Sequence, residues 1–536
     1  MFSRRFIVSY LMLIVCIYIC VGSSLPEKCT VKDTQALLKL KDGFIDELDI
    51  LSSWKGEDCC NWNGVSCNNL TGHVTRLDLE SSHYPSLGGK IDSSICELQH
   101  LTSLNLALND LEGEIPHCIG TLGELIELRL KFNELGGVIP HTLGNLSKLQ
   151  ILDIGYNYYL FANNLEWVSR LSNLRYLDLS VINLRRALDW LSSISQIPSL
   201  SNLYLDDCGI HQVNPKFIVH KNFSNSLKIL SLSGNNLSSS IPSWVLNASK
   251  VLTHLDLSYN SLQQSIPDGF AKLISLQYLD LSNNELDGGI PKSFKKICQL
   301  KELKLQSNKL SGRLSDCIQQ LCSTQTLDLS SNPFKSGPLP DFSWLSSLKT
   351  LSLRNTSIVG PLPQSFGHLP NLAILDLSFN QLSGSLPPFE VSKIASLENL
   401  DLSHNQLNGT LPYAIGQLSS LRRLTLSSNK LNGIVSEVHL SNLSRLQILN
   451  VAQNSLLFNL SSNWVPPFQL IGLHASSCIL GPKFPTWLKH LRELEYLQMS
   501  NSSILDTFPK WFWDLSSQLS YLNVSHNKLS GALPKT

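Results

Sequence analysis

The sequence predicts an α/β fold: a right-handed solenoid of short turns, with parallel β-strands lining a concave face and a small disulfide-bonded helical cap in front. Three observations lead there. Leucines return in the pattern Leu-x-Leu-x-x-Asn-x-Leu along most of the chain, a Gly-x-Ile/Leu-Pro signature follows many of them, and a cysteine-rich segment precedes the first. Self-similarity at a fixed interval outranks length as a guide to architecture, so 536 residues need not mean several globules.

The repeat explains its own elements. Leu104, Leu106, Asn109 and Leu111 make one instance; Leu255, Leu257, Asn260 and Leu262 make another; Leu424, Leu426, Asn429 and Leu431 make a third. The asparagine position falls at Ser82, Asn109, Asn133, Asn157, Ile182, Cys208, Asn235, Asn260, Asn284, Asn308, Asn332, Thr356, Asn380, Asn405, Asn429, Asn454, Cys478, Ser502 and Asn527, nineteen turns mostly 24 or 25 residues apart. A Leu-x-Leu pair points two leucines inward from a short strand and leaves the residue between them, such as Asp256 or Asp280, facing out. The inward asparagine is a buried amide that bonds the backbone as the chain leaves the strand, and of its substitutes only Ile182 lacks that capacity. In Gly113 to Pro116, Gly384 to Pro387 and Gly409 to Pro412, glycine permits tight geometry and proline ends pairing on an outer edge. Strands ~4.8 Å apart would give an inner face of roughly 90 Å, with stability accumulating through stacking.

Residues 1–24 read as a cleavable secretory signal: Arg4 and Arg5, an apolar run from Phe6 to Val21, then Gly22, Ser23 and Ser24 before Pro26. The run is shorter than the ~20 apolar residues a membrane span needs. Residues 25–73 form the cap, and 74–536 form about nineteen repeats with no closing cap or transmembrane segment. In the cap, Cys29 precedes a helix expected to open at Asp33 and run through Ala36, Leu37 and Leu40 toward Gly43. Leu51, Trp54, Cys59, Cys60, Trp62 and Cys67 follow. Disulfides are expected between Cys29 and Cys59 and between Cys60 and Cys67; metal binding is the alternative, disfavoured in a secreted chain without Cys-x-x-Cys spacing. Cys298 and Cys322 hold the same place in adjacent turns, and Cys96 and Cys118 nearly so, which makes bridges and free packed thiols equally consistent readings. Cys208 and Cys478 are expected as reduced core residues.

Charge balances at 42 basic and 42 acidic residues, so no long-range field would gather nucleic acid. Eleven sequons, at Asn69, Asn145, Asn222, Asn236, Asn247, Asn355, Asn408, Asn442, Asn459, Asn501 and Asn523, suit a glycosylated surface. The chain carries no His-Glu-x-x-His, no Gly-x-Ser-x-Gly, no phosphate-cradling Gly-x-x-x-x-Gly-Lys and no calcium loop, so no enzyme, cofactor or metal is expected. Paired acids such as Asp206 and Asp207 adjoin a strand on its solvent side, where hydrated carboxylates are the ordinary outcome. The binding candidates are residues expected on the inner face that break the Asp/Ser monotony: Arg129, Lys131, Phe132, Tyr156, Tyr204, Tyr259, Lys304, Arg354, Phe379, His404 and His474. Rigid aromatics and arginines on a concave surface suit a protein or peptide ligand.

The Cys59-Cys60-x-Trp62-x-Gly64-Val65-x-Cys67 run, with Cys29 and Trp54, resembles the plant leucine-rich-repeat N-terminal cap. More specific are Asn164-Leu165-Glu166-Trp167, Asp189-Trp190-Leu191, Phe458 to Ser462, Trp464 to Leu470, Gly481 to Pro485 and Trp511 to Leu515. Together they are similar to plant receptor-like proteins of the tomato ethylene-inducing-xylanase receptor type, over essentially the whole chain after residue 24. That resemblance implies an ectodomain outside the plasma membrane that perceives microbial or damage-derived molecules and signals through partner receptor kinases. The family's further repeats, island segment, closing cap, membrane helix and tail have no counterpart before Thr536, so a truncated product would stay in the apoplast. The alternatives are a secreted inhibitor of a microbial wall-degrading enzyme, of the polygalacturonase-inhibitor kind, and a non-signalling decoy.

Overall fold

Leucine fixes the architecture through alternation: in a strand the side chains at either end of Leu-x-Leu share a face, and here that face is dry. Leu104, Leu106, Leu128, Leu130, Leu255 and Leu257 are all 0% exposed. The computed structural model describes residues 28–81, 86–211, 226–247, 250–364, 368–387, 394–516 and 518–531. The expected signal, residues 1–24, and the sequon at Asn222 lie outside the described residues. The chain forms two compact units, residues 1–227 and 228–536.

In the first unit, six strands run parallel from Val74–Asp78 through Ser103–Asn105, Glu127–Arg129, Ile151–Asp153 and Tyr176–Asp178 to Asn202–Tyr204. Their register matches leucine to leucine: Leu77, Leu104, Leu128, Leu152, Leu177 and Leu203 sit side by side. The cap continues this sheet, since Val65–Cys67 pairs antiparallel with Val74–Asp78. Its helix spans Val31–Asp42 and is opened by Thr30, whose side chain accepts from the Asp33 amide. The expected opening at Asp33 is therefore displaced by three residues. Asp33 lies inside the first turn, 3% exposed, and its carboxylate accepts the Val74 amide at 2.9 Å, tying helix to sheet. Cys29 bonds Cys59 and Cys60 bonds Cys67, with Cα separations of 5.3 and 5.5 Å.

In the second unit, thirteen parallel strands run from Ile229–Ser231 to Tyr521–Asn523 in the same leucine-to-leucine register. Both units carry further strands that the Leu-x-Leu pattern does not announce. Segments that follow the ladder position, some of them holding Gly-x-Ile/Leu-Pro, pair into further parallel sheets: Gly88–Lys90, Asp110–Glu114, Glu134–Val138 and Tyr159–Phe161 in the first unit, and Val359–Gly360 through Ser455–Phe458 in the second. Proline does end the pairing as expected, Pro116 following the last strand residue Glu114. Gly113 sits within that strand at φ +82°, a conformation side chains disfavour.

The ladder residues work as buried connectors. Asn308 donates Nδ2 to the carbonyls of Leu281 at 2.9 Å and Leu305 at 3.1 Å, while its Oδ1 accepts the Leu286 amide at 3.0 Å. One amide thus satisfies backbone groups on two turns. The substitutes keep part of this: the Cys208 and Cys478 thiols approach the Leu179 and Val451 carbonyls, each at 3.2 Å, and Thr356 Oγ1 donates to Leu353 at 2.6 Å. Ile182 is 0% exposed and simply packs.

Candidate functional site

The binding candidates occupy three rows rather than one. Arg129, Tyr204, Lys304 and His474 are the last residues of their strands. Lys131 and Arg354 lie two residues further on. Phe132, Tyr156, Tyr259, Phe379 and His404 take a left-handed conformation, φ between +51° and +55°, immediately before the ladder position. They edge the sheet where the chain turns away from it, so only the first row lies within the strands themselves.

In the first unit the rows converge. Lys131 reaches Asp178 with Nζ 2.6 Å from Oδ2, and its ammonium lies 5.3 and 5.0 Å from the ring centres of Phe132 and Tyr156. Those rings stack at 4.4 Å. Arg129 bonds Glu127 beside it and Asp153 on the next strand, the latter at 3.3 Å. Tyr176 and Tyr204 pair at 5.4 Å. Burial acts hardest on Lys131 and lowers its pKa, yet the hydrogen bond and charge of Asp178 outweigh it and hold the ammonium above its ordinary value. The Asp153 carboxyl is pushed up to about 6, first by burial and then by the charge of Asp178, against the pull of Lys131 and Arg129.

In the second unit, Lys304 lies 4.9 Å from the Tyr278 ring and 3.8 Å from Asp280, and His254 stacks on Tyr278 at 5.9 Å. Arg354 stacks 4.0 Å from Phe379, which stacks in turn on His404 at 4.0 Å. Tyr259 is 64% exposed. Burial, followed by nearby aspartates, raises the phenols of Tyr176 and Tyr278, so both stay protonated as donors and apolar faces rather than proton shuttles. The recurring aspartates are committed to the fold: Asp256, Asp328, Asp376 and Asp401 each accept the amide and hydroxyl of the serine two residues on.

Sequence reasoning missed Tyr176, Tyr278, His254, Asp153 and Asp178. For Tyr176, Tyr278 and His254 the signal was present, since strand alternation puts the residue before the first leucine on the same face as the one after it.

Cys96 joins Cys118 and Cys298 joins Cys322, with Cα separations of 5.9 and 5.1 Å. Cys208, Cys317 and Cys478 are buried thiols outside the four disulfides, and burial pushes the Cys478 thiol up to about 11. The four cap sulfurs lie within 4.8 Å of one another and are paired as disulfides. Asn69, Asn145, Asn236, Asn247, Asn355, Asn408, Asn442, Asn459 and Asn501 are exposed, whereas Asn523 is half-buried with its Oδ1 accepting the Ser525 amide at 3.1 Å. The motif residues near the second unit's end build core: Trp464 meets Trp487 at 6.1 Å and Phe484 meets Phe512 at 5.2 Å. Among the described residues no helix is long and apolar enough to cross a membrane.

Comparison with known proteins agrees with the repeat architecture. The family model for a leucine-rich repeat region matches residues 73–290 and 337–503, and that for a leucine-rich-repeat N-terminal domain matches 32–68. Two receptor-like proteins of Solanum lycopersicum, EIX1 and EIX2, are 38% and 36% identical over 267 and 261 residues, which are 47% of this chain and 26% of each relative. The chain thus aligns with about a quarter of the length of these relatives. Among solved structures, a TDR receptor superposes with a TM-score of 0.67 at 26% identity, covering 82% of this chain and 79% of that one. The Arabidopsis receptor kinase HAESA, in complex with the peptide hormone IDA and the co-receptor SERK1, superposes with a TM-score of 0.57 at 26% identity over 94% and 95% of the two chains.

Proposed function

Because the chain belongs to the leucine-rich-repeat family, we propose that it is the extracellular ligand-recognition part of a plant cell-surface receptor-like protein that perceives a protein or peptide in defence and signals through partner receptor kinases. The observation that carries this is the convergence of Lys131, Phe132, Tyr156 and Asp178 on one face: side chains locked against each other across neighbouring turns present a rigid surface, which lowers the ordering cost of binding. Similarity to EIX1 and EIX2 supports the receptor-like role and a non-enzymatic reading. The HAESA complex supports peptide and co-receptor as partner classes. On this reading residues 1–24 are a secretory signal, residues 25–73 and 74–536 are cap and repeats, the exposed sequons carry glycans, and the protein works at the outer face of the plasma membrane.

The test is capture of labelled peptides and proteins from infected apoplastic fluid by the purified chain and by its Phe132→Ala/Tyr156→Ala variant. Recognition requires at least one species held by the wild-type chain and released by the variant. Identical capture by both proteins would overturn the reading.

A further inference from the structure

One turn of the second unit departs from its neighbours in three ways at one place. Pro340 follows Asn332 by eight residues where Pro387 follows Asn380 by seven, so the segment from Pro333 to Leu339 carries an extra residue. The ladder residue of the next turn is Thr356. Leu286, Leu310 and Ile358 each donate their amide to the ladder asparagine one turn on, at 3.0 Å. The Thr356 hydroxyl instead donates to the Leu353 carbonyl, and the Phe334 amide turns back to the Asn332 carbonyl at 2.9 Å. The outer pairing stops here too: Gln263–Ser265 pairs with Glu285–Asp287, the next such pair is Val359–Gly360 with Gln381–Ser385, and Pro333 and Pro338 bring no amide to the turn between.

The displaced segment leaves a cavity of about 410 Å³ against the turn before it, within the range of small-molecule sites. Its deep wall is apolar: Leu314, Leu339 and Ile358 are 6%, 7% and 2% exposed. Arg313 and Lys335 also line it, both exposed, and neither forms an ion pair among the described residues. The carboxylates nearest in sequence hold serine hydroxyls, Asp316 that of Ser315 at 3.4 Å and Asp341 that of Ser343 at 2.9 Å. Lys309, one turn earlier, is held by Glu285 at 3.0 Å. Two unmatched cations beside an apolar wall ask for a charge at one end of a ligand and hydrocarbon at the other. A carboxylate or phosphate suits them, since a guanidinium offers paired donors to either and an ammonium adds charge.

We propose that this cavity binds a small amphipathic anion, a carboxylate or phosphate head on an apolar body, with Arg313 and Lys335 holding the head and Leu314, Leu339 and Ile358 receiving the body. The site lies among the segments that follow the ladder, away from the arrays at the strand ends, so it goes beyond the recognition reading and stands without it. The net-neutral chain exerts no general pull on anions, and the preference is local.

The experiment is equilibrium dialysis of the purified full chain against naphthoate, naphthyl phosphate and the uncharged naphthamide. At least one of the two anions binds at one site per chain, the tighter of them identifying the head group, and naphthamide binds at least tenfold more weakly. Arg313→Gln/Lys335→Gln weakens anion binding at least tenfold and leaves naphthamide within twofold. Lys489→Gln/Arg492→Gln, which removes two exposed cations from another turn of the same unit, changes anion binding less than twofold. Lys335→Gln alone, at an exposed position, weakens it severalfold and decides the matter should the double variant misfold. Three results would overturn the proposal: neither anion held at about 1 mM, naphthamide held as tightly as the anions, or equal weakening by the two charge-removing pairs. Capture of a protein or peptide from apoplastic fluid is expected to be the same in wild type and Arg313→Gln/Lys335→Gln, so failure of the receptor reading and failure of this one are read separately.

Discussion

Lys131 and Asp178 meet across a turn to which neither belongs. Their atoms come within 2.6 Å although the residues are 47 apart in sequence, because the intervening turn offers Gly155 at the crossing point. A Cβ on Gly155 would stand 2.7 Å from Asp178 Oδ1. Absence of a side chain on one turn therefore lets three turns be strapped together.

Gly155→Val is expected to break that strap. It pushes Asp178 away from Lys131 and costs about 1–3 kcal/mol through overpacking. Lys131→Met should cost roughly 3 kcal/mol, since it leaves the 2%-exposed Asp178 a buried charge without its cation. Urea denaturation checks both, and a Lys131→Met protein as stable as wild type would show the contact to be incidental.

The ladder amide makes a sharper contrast. Asn308→Ala strands the Leu286 amide and the Leu281 and Leu305 carbonyls in a buried site, for an expected loss of about 2–4 kcal/mol. Asn308→Thr, which imitates Thr356, should recover part of it. Thermal melts of the two variants decide, and equal melting temperatures would refute the role given to the hydroxyl.

How much of this was legible beforehand follows from where the information lies. Periodicity of two within Leu-x-Leu and of 24 or 25 along the chain fixed the strands, their register and the buried asparagines, because each leucine repeats its neighbour's environment. The second sheets were not visible, since the Asp110–Glu114 strand has Gly113 inside it, a residue that reads as a breaker. The helix start was misplaced because Asp33 and Thr30 are both good caps, and only the sheet's claim on Asp33 settles which one serves. At the candidate site, residue type picked out Lys131, Phe132 and Tyr156, but not Asp178. Its Leu-Asp-Leu-Ser setting looks like every other turn, and its partner is set by which turn carries a glycine.

Arg354 tests whether stacking or charge matters at the second unit's array. Its guanidinium lies 4.0 Å from Phe379 and donates to Ser378 Oγ at 2.9 Å. Lysine keeps the charge and loses the planar contact, so Arg354→Lys should lose nearly as much stability as Arg354→Ala, about 0.5–1 kcal/mol. Full retention in Arg354→Lys would assign the effect to charge alone.

Acidity should act on the first unit through Asp153. Its folded carboxyl titrates at about 6, above the ordinary value of about 4 in an unfolded chain. The folded state therefore binds the proton more tightly than the unfolded state does. The associated stability is fully present below pH 4 and is lost as pH rises through about 6, by at most ~3 kcal/mol. Arg129, Lys131, Asp178, Tyr176 and Glu80 face or lie near this carboxyl, and the two cations limit the loss. Asp153→Asn removes the titrating group and should flatten the stability profile between pH 4 and 6. A hydrogen-exchange or denaturation series across that window reads the slope directly; an unchanged slope in the variant would place the titration elsewhere.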